Sequence, residues 1–179
     1  MINYGGTMKQ IILILLLPYI LITGCAKKES AENKLAKAVG GEIITTADIR
    51  LSLDASPDKA VVYKNKEGWF RLKICSMNDG LYSSVWEAPE ILERPEITVT
   101  DIDQDKVDEL YYIFKSGVQD KPEYSLFLYI PLRDRLLMVK TRPGNTGAQA
   151  EIIVEKDNKD YAVYNNYLIE KTKTINFNN

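Results

Sequence analysis

Histidine is absent from the 179-residue sequence. That absence removes Ser-His-Asp and Cys-His catalysis, imidazole general-base chemistry and His-ligated zinc. Cysteine is almost as scarce, with only Cys25 and Cys75, so a cysteine-rich zinc site is excluded too. The apolar block Ile11 to Ile22, "IILILLLPYILI", falls well short of the ~20 residues a helix needs to span a bilayer core. No period of 20 to 50 residues recurs, which rules out a repeat array. No Gly-rich phosphate loop is present, because "RPGNTG" lacks both the lysine and the helical pattern that should come after it. Charge is nearly balanced, 23 basic against 25 acidic residues, and the signs are interspersed, which leaves no footprint for nucleic acid. Carboxylates, lysine, tyrosine and serine are what remain for chemistry.

The short apolar block has a definite context. Lys9 precedes it, Pro18 interrupts it, and the small residues Thr23 and Gly24 close it before Cys25. A charged start, a short apolar centre and a small-residue exit describe a secretory signal peptide rather than an anchor helix. Lys9 directly follows Met8, so Met8 is expected to be the true start. The four residues "ITGC" resemble the lipobox of bacterial lipoproteins: an aliphatic residue three before Cys, small residues between, and the Cys itself. The resemblance spans Met8 to Cys25. It implies that the Cys25 thiol receives a diacylglycerol, that residues 1–24 are cleaved, and that the new amino terminus is acylated. Two or three acyl chains hold a protein at a bilayer stably where one would not. Ala26 follows the Cys, and in a Gram-negative organism a residue other than Asp there implies the outer membrane, facing the periplasm.

Residues 1–25 contain one charged residue, Lys9, so residues 26–179 hold 22 basic and 25 acidic residues, a net of −3 over 154 residues. That length suits one domain with its own core. With Cys25 lipidated, Cys75 has no partner in the chain, and stability must come from burial. Cys75 lies in "WFRLKIC", out of phase with Phe70, Leu72 and Ile74 and close to Arg71 and Lys73. Two readings are open: a thiolate favoured by neighbouring cations, or a half-buried small side chain.

Residues 26–41, "AKKESAENKLAKAVGG", read as a polar tether with a frayed helical turn or two after Ser30. From Glu42 to Asn179 a single β-rich domain is expected. Apolar residues alternate with period two between turn signals: "NKEG" between "AVVYK" and "WFRLKIC", then "MNDG", then "PLRD". About nine strands with short connections give an antiparallel meander. "ELYYIF" and "YSLFLYI" are apolar on both faces, so a second layer must cover them. The expected fold is mainly β, a β-sandwich or else a curled sheet. In "DYAVYNNYLIEK", Tyr161, Tyr164 and Leu168 share a helical face, favouring a short C-terminal helix, while the β-branched and aromatic content also permits a strand.

The chemically pointed stretch is "TDIDQDKVDELYYIF". Asp101, Asp103 and Asp105 alternate, and Glu109 comes four residues after the last. Oxygen ligands at positions 1, 3, 5, 7 and 9, the seventh being the Val107 backbone carbonyl, can wrap one hard cation such as Ca²⁺. The stretch resembles the calcium loop of FG-GAP-type repeats, in which such ligands precede a hydrophobic strand, here "LYYIF". That family uses Gly at positions 4 and 6, where this chain has Gln104 and Lys106. A non-Gly residue held at positive φ there costs roughly 1 kcal/mol. The alternative is a solvated acidic turn that keeps the shape without the ion. Glu87, Glu90, Glu93 and Glu96 form a second cluster, in a Pro-bounded loop whose spacing does not specify a hydrolase pair.

These features point to a lipid-anchored envelope protein without a catalytic residue set. Its partners would be the membrane, through the lipid, and an envelope protein or glycan. Tyr-rich strands can stack on sugars or simply build a sheet. The other classes are an inhibitor of envelope-attacking hydrolases such as lysozyme, and a carboxylate-dependent hydrolase.

Overall fold

The computed structural model describes residues 29–53, 57–88, 93–118, 121–142, 151–152 and 159–175. Cys25 and its lipobox, Glu90 and the "RPGNTG" loop after Arg142 lie outside them. The chain divides into two units, residues 1–31 and 32–179, and the second of these carries the fold.

Two antiparallel sheets succeed one another along the chain. The first holds β1 (Glu42–Ile49), β2 (Asp58–Lys64), β3 (Phe70–Asn78) and β4 (Leu81–Glu87) in sequence order. The second holds β5 (Glu96–Thr100), β6 (Glu109–Val118), β7 (Lys121–Ile130), β8 (Arg135–Thr141) and the two-residue β9 (Glu151–Ile152), again in order. The meander expectation therefore holds strand by strand. The "NKEG" hairpin forms as read, with the Asn65 side chain accepting from the Trp69 N–H at 2.8 Å while Asn65 N–H donates to the Trp69 carbonyl at 2.9 Å.

The sheets pack face to face as a sandwich. Ala60, Val62, Leu72 and Ile74 from the first meet Leu110, Tyr112 and Tyr129 from the second in one buried cluster. Trp86 stacks on Tyr129 with centroids 4.2 Å apart and meets the edge of Tyr112 at 6.4 Å. The two-faced apolar character of β6 and β7 is explained by what lies on the opposite side. There Tyr111, Leu126, Leu128, Leu137 and Val139 pack under helix α2 (Ala162–Lys173) through Tyr164 and Leu168, with Tyr161 just before it. The helical face read from Tyr161, Tyr164 and Leu168 is the buried one.

The outer face of the first sheet is covered too. Ala31–Val39, read as part of a tether, form helix α1. Its Leu35 and Val39 pack on Val61, Tyr63 and Cys75. Lys34 Nζ donates to the Gly80 carbonyl at 2.7 Å, fixing the helix to the β3–β4 turn. The paired glycines close this helix for two distinct reasons. Gly40 sits at φ 72° as its left-handed terminus, its N–H donating to the Ala36 carbonyl at 3.1 Å. At Gly41 a Cβ would lie 2.4 Å from the Lys64 carbonyl oxygen, so a side chain there would block the approach of β1 to β2. Helix, sheet, sheet and helix thus make four layers, and among the described residues no helix is long and apolar enough to cross a membrane.

Cys75 belongs to the α1 layer and is fully buried. Burial pushes its thiol pKa up, outweighing the opposing pull of Lys73. The thiolate reading fails because the α1 helix, invisible to a period-two reading of β3, seals the face on which the thiol sits.

Candidate metal centre in the β5–β6 loop

The loop from Asp101 to Asp108 joins β5 to β6 at the edge of the second sheet. It is built from short side-chain to backbone links. The two Asp101 carboxylate oxygens accept the N–H groups of Asp105 at 3.0 Å and Lys106 at 2.9 Å. Asp105 Oδ1 accepts the Val107 N–H at 2.8 Å, and Glu109 Oε2 accepts the Ile102 N–H at 2.8 Å. Gln104 and Lys106 both take positive φ, 65° and 75°. These are the two positions where the resembling calcium loops carry glycine, so the backbone holds that turn with residues that disfavour it.

The turn gathers three of the expected ligands. Asp101, Asp103 and Glu109 place one carboxylate oxygen each within 4.8 Å of the others. Asp105 is not part of this trio, its Oδ1 being turned to the Val107 N–H. Val107 is buried, 2% exposed, and anchors the loop. Each carboxylate oxygen has two lone-pair directions, so an oxygen that accepts one N–H can still face a cation. A hard, all-oxygen trio of this kind suits Ca²⁺ rather than a soft metal.

Electrostatics single out Glu109. Only 1% exposed, it has its carboxyl pushed up to about 7, first by burial and then by the charges of Asp103, Asp105 and Asp101. The Ile102 N–H acts in the opposite direction but is outweighed. A nearby divalent cation would reverse this balance by favouring the ionised form.

Two contacts that the sequence did not disclose tie the loop to the rest of the fold. The Tyr164 hydroxyl, from α2, donates to Asp103 Oδ2 at 2.5 Å. Burial and that hydrogen bond to a carboxylate both raise the Tyr164 pKa. On the other side, Asp108 N–H donates to the Arg50 carbonyl at 2.8 Å, and Arg50 N–H donates to Asp108 Oδ2 at 2.8 Å. The Arg50 guanidinium adds Nη2 to Asp108 Oδ1 at 3.1 Å. Arg50 directly follows β1, so this pair links the two sheets. Tyr164 was legible as a core residue but not as a partner of Asp103, 61 residues away.

Among the described residues the second acidic cluster does not assemble. Glu87 lies on β4 of the first sheet, where the Tyr63 hydroxyl donates to it at 3.1 Å and Lys73 stands 3.8 Å away. Glu96 opens β5 of the second sheet, and Glu93 is exposed before it. The chain matches no family model, no curated protein and no solved structure among those it was compared with.

Proposed function

We propose that this protein is a non-enzymatic, lipid-anchored module of the bacterial cell envelope whose β5–β6 loop is stapled by a calcium ion. In this reading Cys25 carries the lipid and the sandwich is held at the membrane surface outside the cytosol. The "ITGC" motif at the end of a short apolar block supports that placement. The absence of histidine and the separation of Glu87 from Glu96 onto different sheets favour binding over hydrolysis.

The observation that carries the cation reading is the coincidence of three carboxylates within 4.8 Å with positive φ at Gln104 and Lys106. Asp101, Asp103 and Glu109 would hold the ion, with Asp105 and the Val107 carbonyl as the further donors expected from the sequence. The ion's role would be structural, because the loop it closes is already bonded to α2 and to the first sheet. Affinity in the range of extracellular modules, on the order of 10⁻⁴ to 10⁻³ M, matches a site with a lysine at position six.

Two measurements test the two halves separately. Intact-mass analysis of protein purified from bacterial membranes should give a chain starting at Cys25 with a diacylglycerol and an added acyl chain; an unmodified thiol with the leader retained rejects the anchor. Calcium titrated against thermal stability should raise the melting temperature of the wild type and not that of Asp103→Ala. No shift at millimolar calcium rejects the ion.

A further inference from the structure

A groove of about 420 Å³ opens on the outer face of the second sheet, between β5, the exposed end of its neighbours and the C-terminal end of α2. Its floor is apolar and aromatic: Tyr111, Ile113 and Tyr124 from neighbouring strands. Thr98 pairs with Tyr111 and Glu96 with Ile113 across β5 and β6, which sets both polar residues beside that floor on the same face. Lys171, Thr174 and Ile175, from the last turn of α2 and just beyond it, form the opposite wall. None of these residues belongs to the cation loop.

We propose that this groove is a carbohydrate-binding site, taking one or two sugar rings of a neutral glycan. Its volume lies within the roughly 300–1,000 Å³ usual for small-ligand sites. The charge pattern selects the ligand class. Glu96 and Lys171 bring one charge of each sign to the same groove, so a ligand of either single charge meets a repelling partner as well as an attracting one. Lys171 is further engaged by aromatic faces, its Nζ 5.7 Å from the Tyr111 centroid and 5.1 Å from that of Tyr167. That leaves it suited to donate a hydrogen bond rather than to capture a free anion. A pyranose has an apolar C–H face and a rim of hydroxyls. Such a shape fits the Tyr124 ring and Ile113 below, beside the buried Tyr111, with an acceptor, a donor and two threonine hydroxyls around them.

The site shares no residue with the lipidation motif or the cation loop, and its failure would leave those readings intact. The test uses the full lipidated chain in a zwitterionic detergent free of sugar headgroups, observed by saturation-transfer NMR. The probes are a β-1,4-linked N-acetylglucosamine tetrasaccharide, maltohexaose and, as a zwitterion, triglycine. At least one oligosaccharide should bind saturably and triglycine should not. Tyr124→Ala should weaken that binding by about tenfold, as expected for a lost stacking surface. Thr98→Phe, at an exposed position, should fill the groove and abolish binding with the melting temperature unchanged, and Leu132→Ala at a distant turn should bind as wild type. Failure of both oligosaccharides, binding of triglycine alone, or sugar binding that survives Thr98→Phe would each overturn the proposal.

Discussion

Replacing Glu109 by Gln should stabilise the protein without calcium and lose most of that advantage with calcium, and both halves can be worked from the site. The carboxyl of Glu109 titrates near 7 in the fold against about 4.5 when free. A folded-state pKa above the unfolded one means that, between those values, the folded state binds more protons than the unfolded state. Stability therefore falls as pH rises from about 4.5 to about 7, and stays low above that. At 1.36 kcal/mol per unit the full cost is about 3 kcal/mol at pH 8. Solvent does little to screen it, because the residue is 1% exposed. Gln keeps an acceptor for the Ile102 N–H, now 2.8 Å from Oε2, and offers donors to the aspartates around it. Urea unfolding with chelator, from pH 4.5 to 8, should show this fall in the wild type and a flatter profile in Glu109→Gln. Subtracting the two profiles cancels the titrating groups that do not interact with Glu109. Calcium narrows the gap. At 10 mM and a dissociation constant near 10⁻⁴ M, binding adds about 2.7 kcal/mol to the wild type, or roughly 5–10 °C in melting temperature. The variant, lacking one of three carboxylates, should gain far less. A Glu109→Gln protein that keeps the wild-type pH profile would refute the burial account, and parallel calcium responses would refute the ion.

Three further outcomes are expected from the packing. The Tyr112 hydroxyl is fully buried in the sandwich and has no hydrogen-bond partner among the described residues, so Tyr112→Phe should be neutral or stabilising by about 1 kcal/mol in urea unfolding; a loss of more than that would mean the hydroxyl is satisfied. Cys75, buried with a raised thiol pKa, should resist alkylation by iodoacetamide at pH 8 in native protein and react fully in urea, and rapid native labelling would mean that α1 does not stay docked. Gln104→Gly relieves a positive φ at a cost in chain entropy, so a gain of about 0.5 kcal/mol is expected by thermal melting, and destabilisation would show that the left-handed turn is not kept.

Some of this fold was legible because one physical rule governed the residues concerned. β6 and β7 announced two covered faces through uninterrupted apolar sequence, and both faces are covered, by a sheet and by α2. The helical face of α2 was favoured by the spacing of Tyr161, Tyr164 and Leu168, in a segment whose composition also suits a strand. In the β5–β6 loop, Gln104 and Lys106 take positive φ at the two positions where the alternating aspartates call for a sharp turn. What escaped was whatever depends on distant segments meeting. α1 is rich in lysine and alanine and has only Leu35 and Val39 to bury, too few for a periodic signal, yet they suffice because Tyr63 and Cys75 supply the other half of the contact. Asp105, by contrast, occupies the right sequence position but turns to the nearest backbone N–H, because a local bond forms without the aid of an ion. Asp108 drew no attention within the acidic run, although it is the residue that reaches across to Arg50.

The wiring of the loop bears on why a strained, acidic turn would persist at all. Without an ion, Asp101, Asp103 and Glu109 repel one another and Glu109 is buried at a cost, so the local sequence opposes its own geometry. The turn is instead held from outside: Tyr164 grips Asp103 from α2, and Arg50 grips Asp108 from the end of β1. Those same bonds would carry any gain in loop order to the helix and to the sheet–sheet junction. A cation here would therefore tighten three of the four layers at once while touching only one loop. That is a structural office suited to a domain with no internal disulfide. The loop and the α2-walled groove share no lining residue, so a substitution can be placed in one without removing a side chain of the other.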